Sequence, residues 1–544
     1  MNLPHTTVHR LSGPVNLVYL KPTGLFFGLE PSQQQQSQQQ QPLVMLFGDA
    51  HKDDTGLCPE GPDRYAIYDP AFLKELDSLA TVGNQAPYPI DFYTESALEF
   101  PYASATPQDI LFYQFHRRTR ACHLRALRTK NLYTHQCPTE HIRWHYADPR
   151  FMMNTAEYHL LGPVVDHWIG AFPNGMKPVL DHWKATADPR LTDLDTVHDW
   201  FTKLKLRSES PLPTKGFEQR AHNTRAVFHP DALRPIRHHM MTILLHPLSA
   251  LPHKFHYLFA PYVDAFSPNQ PRQSLVLKQL AKLPVQLSRD QVIDFLARTF
   301  QAAMEAPPPP AIYQRTALED MERFVQTLPP PLAGYIAFFF EVSPQEFQQQ
   351  GPAQLEALAQ HYGPNTPTLV WKAFNVALRY AFDLHAYFTD LYALLRMLKP
   401  PHQSSPPYLA FGFFGSDHVR RMAHILTLRP YFGYEEAYRI EETEPVSRCL
   451  TFTQPLDLVG DLQRLPARRT LPLFQAQQAE ERYEREANRL RGIRLNGGTR
   501  HYRTKRGKGG KGGKRTRRGQ RDQRDQRDQR DQRDQRDQRD QRCL

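Results

Sequence analysis

The 544-residue chain has little cysteine, no long apolar run and none of the familiar catalytic signatures, and each shortage excludes a class of protein. Its five cysteines, Cys58, Cys122, Cys137, Cys449 and Cys543, are scattered and include no Cys-x-x-Cys. That usage predicts free thiols in a reducing compartment rather than a disulfide framework. The best apolar run, Ala333-Gly334-Tyr335-Ile336-Ala337-Phe338-Phe339-Phe340, falls well short of the roughly 20 residues of a membrane span. The start, Met1-Asn2-Leu3-Pro4-His5, lacks the basic-then-apolar order of a secretory signal, and Cys543 stands out of register for prenylation. There is no His-Glu-x-x-His, Gly-x-Ser-x-Gly or Walker loop. Asp49-Ala50-His51 supplies half of a metallophosphoesterase site, but Gly83-Asn84 is followed by Gln85, so the other half is missing.

Acidic residues are absent from one stretch, and this decides how the net charge of +11 is read. Residues 500–518 hold ten Lys or Arg and no acid, while 519–544 add eight Arg against seven Asp. Residues 1–499 are therefore near neutral, and any nucleic-acid-binding role belongs to the tail. Its cations Arg503, Lys505, Arg506, Lys508, Lys511, Lys514, Arg515, Arg517 and Arg518, interleaved with glycines, His501 and Tyr502, suit nonspecific contact with phosphate backbones. A nuclear address or a solubilising tail explains the same composition. The seven Arg-Asp-Gln triplets at 521–541 have no apolar residue with which to order themselves.

What is present is a repeated grammar. Leu43-Val44-Met45-Leu46-Phe47 runs into Gly48-Asp49-Ala50-His51, and Tyr408-Leu409-Ala410-Phe411-Gly412-Phe413-Phe414 runs into Gly415-Ser416-Asp417-His418. Apolar runs of this kind suit inner strands covered on both faces, and ligands of open α/β sheets bind at such strand ends. Either motif alone is equally well a strand-end turn with a capping histidine. Between the motifs, a helix from Asp69-Pro70 to about Ala80, a strand at 88–95 ending in Glu95, a basic helix at about 107–129 and a strand at 142–150 keep α/β order. The pieces 14–29 read as a hairpin before the first motif strand, and the Gln tract 33–41 as an exposed loop.

The expected fold is thus α/β, a mixed or mostly parallel central sheet with flanking helices, a large helical insertion and a disordered basic C-terminal tail. The expected divisions are 1–154 for the first half of the α/β domain, 155–400 for the insertion and 401–470 for the second half. A charged helix at 471–499 and the basic and Arg-Asp-Gln tail at 500–544 follow. Residues 368–398 should end the insertion in a long amphipathic helix, and 448–453 should add a last edge strand.

His51, His418 and Glu95 lead the candidate site residues, because imidazoles and a carboxylate at converging strand ends can hold zinc or manganese or act as a metal-free acid–base set. Asp49 and Asp417 stand ready to orient an imidazole. Arg143 and His145 share one face of their strand by alternation, so Arg143 is placed to hold a substrate anion or a site carboxylate, with Asp148 and Arg150 following in the turn. An edge strand facing solvent accounts for the same residues. Tyr392 and Arg396, four apart on the helix of Asp390, read as a stacked pair.

The paired Gly-x-x-His motifs, with Glu95 and an arginine between them, resemble the superfamily of erythromycin esterases, ChaN-type haem-binding lipoproteins, TraB proteins and Tiki proteases. The longer stretches Leu46–His51, Ile90–Glu95, His145–Arg150 and Asp390–Arg396 look like those of uncharacterised proteins of large eukaryotic DNA viruses. The resemblance implies a site of His51, Glu95 and His418, and a hydrolase whose water is activated by them, with an unknown small-molecule or peptide substrate. It leaves a divalent metal (Mn or Zn) open, because members include metal-independent esterases and metal-dependent proteases. The alternative is a non-enzymatic viral or host-interaction protein tethered to nucleic acid by its tail. The expected location is intracellular, in host cytoplasm or nucleus or in the virion, and not secreted.

Overall fold

The computed structural model describes residues 1–23, 41–49, 64–82, 90–95, 137–147, 233–266, 274–283, 285–307, 318–342, 344–363, 366–398, 408–429, 431–441 and 448–464. It also describes Phe27, Cys58, Phe115, Thr119, Cys122, Thr155–Glu157 and Leu160. His51, Asp148, Arg150, most of the Gln tract, most of the basic helix, the charged helix at 471–499 and the whole tail lie outside the described residues.

The expected α/β architecture is present. Six strands form the main sheet: β2 (Asn16–Pro22), β3 (Leu43–Asp49), β5 (Ile90–Thr94), β6 (Ile142–Tyr146), β7 (Leu409–Gly415) and β8 (Tyr434–Glu441), in the order β6-β5-β7-β3-β2-β8. β6, β5, β7 and β3 run parallel, and β2 pairs antiparallel with both β3 and β8. The two motif strands are neighbours in register, Gly48 opposite Phe414 and Asp49 opposite Gly415, and every residue of both is buried. That is why they read as continuous apolar runs. β8, which carries Glu435, Glu436 and Arg439, closes one edge with its charges toward water.

Alternation sends two sets of side chains to opposite faces. On one face Leu43, Met45, Phe47, Ile90, Phe92, Trp144, Phe411 and Phe413 pack with helix α1 (Pro70–Ser78), and the Phe92 and Trp144 rings stack at 4.6 Å. A small sheet of β4 (Arg64–Ala66), β1 (Arg10–Ser12) and β9 (Cys449–Thr451) contributes Leu11 and Leu450 to the same core. The expected last strand at 448–453 therefore pairs with β1, away from the main sheet. On the other face Val44, Leu46, Tyr93, Ala147, Ala410 and Phe414 pack with the helices that lie between β6 and β7 in sequence. These are α2 (Arg234–Leu244), α3 (Lys254–Phe266), α4 (Leu275–Leu280), α5 (Arg289–Glu305), α6 (Leu318–Thr327), α7 (Pro330–Glu341), α8 (Pro344–Tyr362) and α9 (Thr366–Leu398). The 33 residues of α9 span about 50 Å at 1.5 Å per residue. It touches α4, α7, α8, α10 (Ser416–Leu426) and β5. A short helix α11 (Leu458–Arg464) follows β9.

One expectation is corrected. Four of the five cysteines pair, Cys58 with Cys449 and Cys122 with Cys137. Sequence spacing could not show the first pair, which is 391 residues apart. It forms because Ser12 of β1 lies opposite Cys449 in the sheet and its Oγ accepts from the Cys58 N–H at 2.9 Å. Among the described residues no helix is long and apolar enough to cross a membrane.

Candidate active site

Strand β5 presents Asp91, Tyr93 and Glu95 in succession to the helical face of the sheet, just where α9 and α10 cover it. Glu95 follows the last residue of β5 and is buried. Its Oε2 accepts from the Gly415 backbone N–H at 2.6 Å, and its Oε1 lies 3.2 Å from His418 Nε2. The other ring nitrogen of His418, Nδ1, meets Asp390 Oδ1 of α9. Arg421, one turn further along α10, donates from Nε to Asp390 Oδ2 at 2.6 Å, and its Nη2 lies 3.0 Å from His418 Nδ1. Two carboxylates and two cations thus alternate at the end of β7, all less than a tenth exposed. Burial opposes the charge on His418, but Glu95 and Asp390 outweigh it and push the imidazole up to about 9. His418 is an imidazolium at neutral pH.

A second set occupies the lower rungs, where Asp91 lies opposite Arg143 and Tyr93 opposite His145. Arg143 grips Asp91 with both arms of its fork, Nε at 2.5 Å and Nη2 at 2.9 Å. His145 Nε2 lies 3.0 Å from Asp91 Oδ1, and its ring stacks on Tyr93 at 4.6 Å. Burial works against the Asp91 charge, yet Arg143 and His145 hold the carboxyl well below its usual range. Burial also lowers His145, by more than Asp91 raises it, so its ring is neutral. Arg396 Nη2 donates to its Nδ1 at 3.4 Å, which leaves the ring proton on Nε2, 3.0 Å from Asp91 Oδ1. The Tyr93 hydroxyl donates to the Arg396 carbonyl at 3.0 Å.

The structure therefore joins Glu95 to His418 and adds Asp390 and Arg421, which sequence reasoning did not place in the site. Arg421 carried the signal of its spacing of three from His418 on one helix, and Asp390 that of a carboxylate on the long amphipathic helix. Arg143 is on the expected face with His145, but the carboxylate it holds is Asp91. Asp49 lies on the opposite face with Leu43, Met45 and Phe47, 3.8 Å from Arg448, and Asp417 is 3.7 Å from Arg420. Neither orients His418. Tyr392 and Arg396 do stack, the guanidinium 5.6 Å from the ring centre.

The motif glycine Gly48 has a steric reason. A Cβ there would stand 1.8 Å from Asn16 Oδ1 and 2.8 Å from Ser416 Cα, so only glycine lets β3 pass under the start of α10.

No group of three metal-ligating side chains converges among the described residues, and His51, the third donor of the expected set, lies outside them. Comparison with protein-family models, curated proteins and solved structures gives no match.

Proposed function

We propose that the chain is a hydrolase-like α/β protein of the erythromycin esterase, TraB and Tiki type, acting at the C-terminal edge of β5 and β7. The observation that carries this reading is the Glu95–His418 pair, a carboxylate 3.2 Å from an imidazolium backed by Asp390. Glu95 accepts a proton from a water whose oxygen adds to the substrate carbonyl, and His418 gives its Nε2 proton to the departing oxygen or nitrogen. The proton on Glu95 then passes to His418 across the same contact, which resets both groups. Asp390 keeps the Nδ1 proton in place throughout, the orienting role that a carboxylate plays behind a catalytic imidazole. His51 belongs to this reading as the histidine after the neighbouring strand β3.

Ester and peptide libraries test it. Glu95→Gln and His418→Ala should each abolish hydrolysis while circular dichroism stays unchanged, and His51→Ala shows whether the second motif histidine takes part. For the wild-type protein, kcat/KM should fall as pH rises through about 9, where His418 loses its proton. Asp390→Asn should move that fall to lower pH. Hydrolysis that persists in the Glu95→Gln, His418→Ala double variant sinks the assignment.

The second reading, a non-enzymatic interaction protein tethered through its tail, is favoured by one observation: both His418 ring nitrogens are engaged by carboxylates, as in a structural ion network. Its tether is tested by charge. Deleting residues 500–518 should remove retention on DNA or RNA at low salt, because ten cations and no acid lie there, and deleting 521–541 should barely change it. Equal retention by residues 1–499 refutes the tether.

A further inference from the structure

We propose that Arg421 is a positioning residue for the Glu95–His418 pair: its planar fork clamps Asp390 of α9 and so fixes the imidazole that Asp390 meets at Nδ1. Asp390 is shared between two cations. Its Oδ1 meets His418 Nδ1, and its Oδ2 accepts from Arg421 Nε at 2.6 Å. A carboxylate held at both oxygens is pinned against rotation about its Cβ–Cγ bond, so Oδ1 stays turned to the ring. Arg421 Nη2 lies 3.0 Å from the same Nδ1, and the fork therefore also stands beside the contact that it steadies. One side chain spans both points because Nε and Nη2 belong to a single rigid plane.

The fold makes this arrangement stiff. His418 and Arg421 are three residues apart on α10 and share one of its faces. Asp390 comes from α9, so the fork ties the two helices together at the level of the pair. Arg421, Asp390 and His418 are all buried, and in such surroundings a charge-assisted hydrogen bond is strong and its loss is costly. Glu95 meets the opposite ring nitrogen, Nε2, so the Asp390–Arg421 unit holds the ring from behind while Nε2 faces the reaction. Loss of the fork strands Oδ2 as a buried acceptor. The carboxylate then turns toward another donor, and the imidazole loses its fixed direction. Misplacing a catalytic group by about 1 Å costs roughly 100-fold in rate.

The catalytic consequence rests on the hydrolase reading, whereas the hold on His418 is measured without a substrate. In the proton NMR spectrum of the full-length protein at neutral pH, the Nδ1 proton held against Asp390 should stand far downfield of the amides. Labelling histidine with 15N identifies the nitrogen that carries it, and the signal should be absent from His418→Gln. In Arg421→Gln it should broaden into exchange with water. Arg421→Lys keeps the charge and loses the fork; it should broaden the signal too, and it covers a folding failure of the glutamine variant. With an ester substrate both variants should lose roughly 10–100-fold in kcat while KM stays within about twofold, because the fork steers the acid and touches no substrate. An arginine with a merely structural role would lower the melting temperature and leave signal and kcat alone. In the variants that fold, a signal as sharp as that of wild type or an unchanged kcat overturns the proposal, as does a wild-type protein without the signal. Broadening as expected, with no hydrolysis by wild type, upholds the hold on His418 and sinks the hydrolase reading alone.

Discussion

Protonated His418 should make stability fall steeply on the alkaline side of neutrality. The ordinary value of an imidazole is 6.5 and this one is pushed up to about 9, and each pH unit of that difference corresponds to about 1.4 kcal/mol. Because the folded protein binds the proton more tightly than the unfolded chain, the contribution is complete below pH 6.5. It declines as pH rises and is gone once pH exceeds about 9. The amount lost is roughly 3 kcal/mol, a large share of the 5–15 kcal/mol typical of a folded domain. Urea unfolding of wild type and His418→Gln at half-unit steps from pH 6 to 10 measures it. The difference between the two proteins removes groups common to both, including Lys254, whose burial outweighs Glu322 and lowers its ammonium. The difference should shrink by roughly 3 kcal/mol across the series. A flat difference, or one that grows with pH, would show that His418 is neutral in the fold and would remove the acid from the proposed reaction.

Three further outcomes follow from packing. Gly48→Ala should cost about 1–3 kcal/mol, since Ser416 is backbone and cannot retreat, and adding Asn16→Ala should recover only part of that in thermal unfolding. Breaking the Cys58–Cys449 link with Cys449→Ser should cost roughly 2–5 kcal/mol; non-reducing peptide mapping that finds Cys58 as a free thiol in the oxidised wild type would refute the pairing. Lys254, fully buried against Glu322 with the Tyr380 hydroxyl donating to the same carboxylate, should cost about 3–5 kcal/mol when changed to Met. Much of this should return in the Lys254→Met, Glu322→Leu double variant, and equal cost in both would show that lost packing rather than a stranded carboxylate is responsible.

Strands β3 and β7 were legible because burial on both faces demands uninterrupted apolar runs, and Glu95 and His418 were legible as the polar residues that end such runs. β8 was not, because Tyr434-Glu435-Glu436-Ala437-Tyr438-Arg439-Ile440-Glu441 faces water along most of its length and has no core pattern to betray it. Asp390 was visible as a carboxylate on a long helix, yet its meeting with His418 and Arg421 depends on how α9 crosses the sheet, which periodicity does not encode. The disulfides were hidden for a related reason. Cys58 and Cys449 meet only because β1 and β9 pair, and three-residue strands carry too little pattern to be read.

The position of β7 also sets a schedule. It is an inner strand, flanked by β3 and β5, yet about 260 residues separate it in sequence from β6. At about 5–20 residues per second a ribosome needs roughly 10–50 s to reach it. During that interval the nascent chain has β3 and β5 with a vacant slot between them and two apolar strand edges unprotected. Chaperone dependence during synthesis, and aggregation of any product that stops before residue 415, are consequences of placing the keystone strand so late.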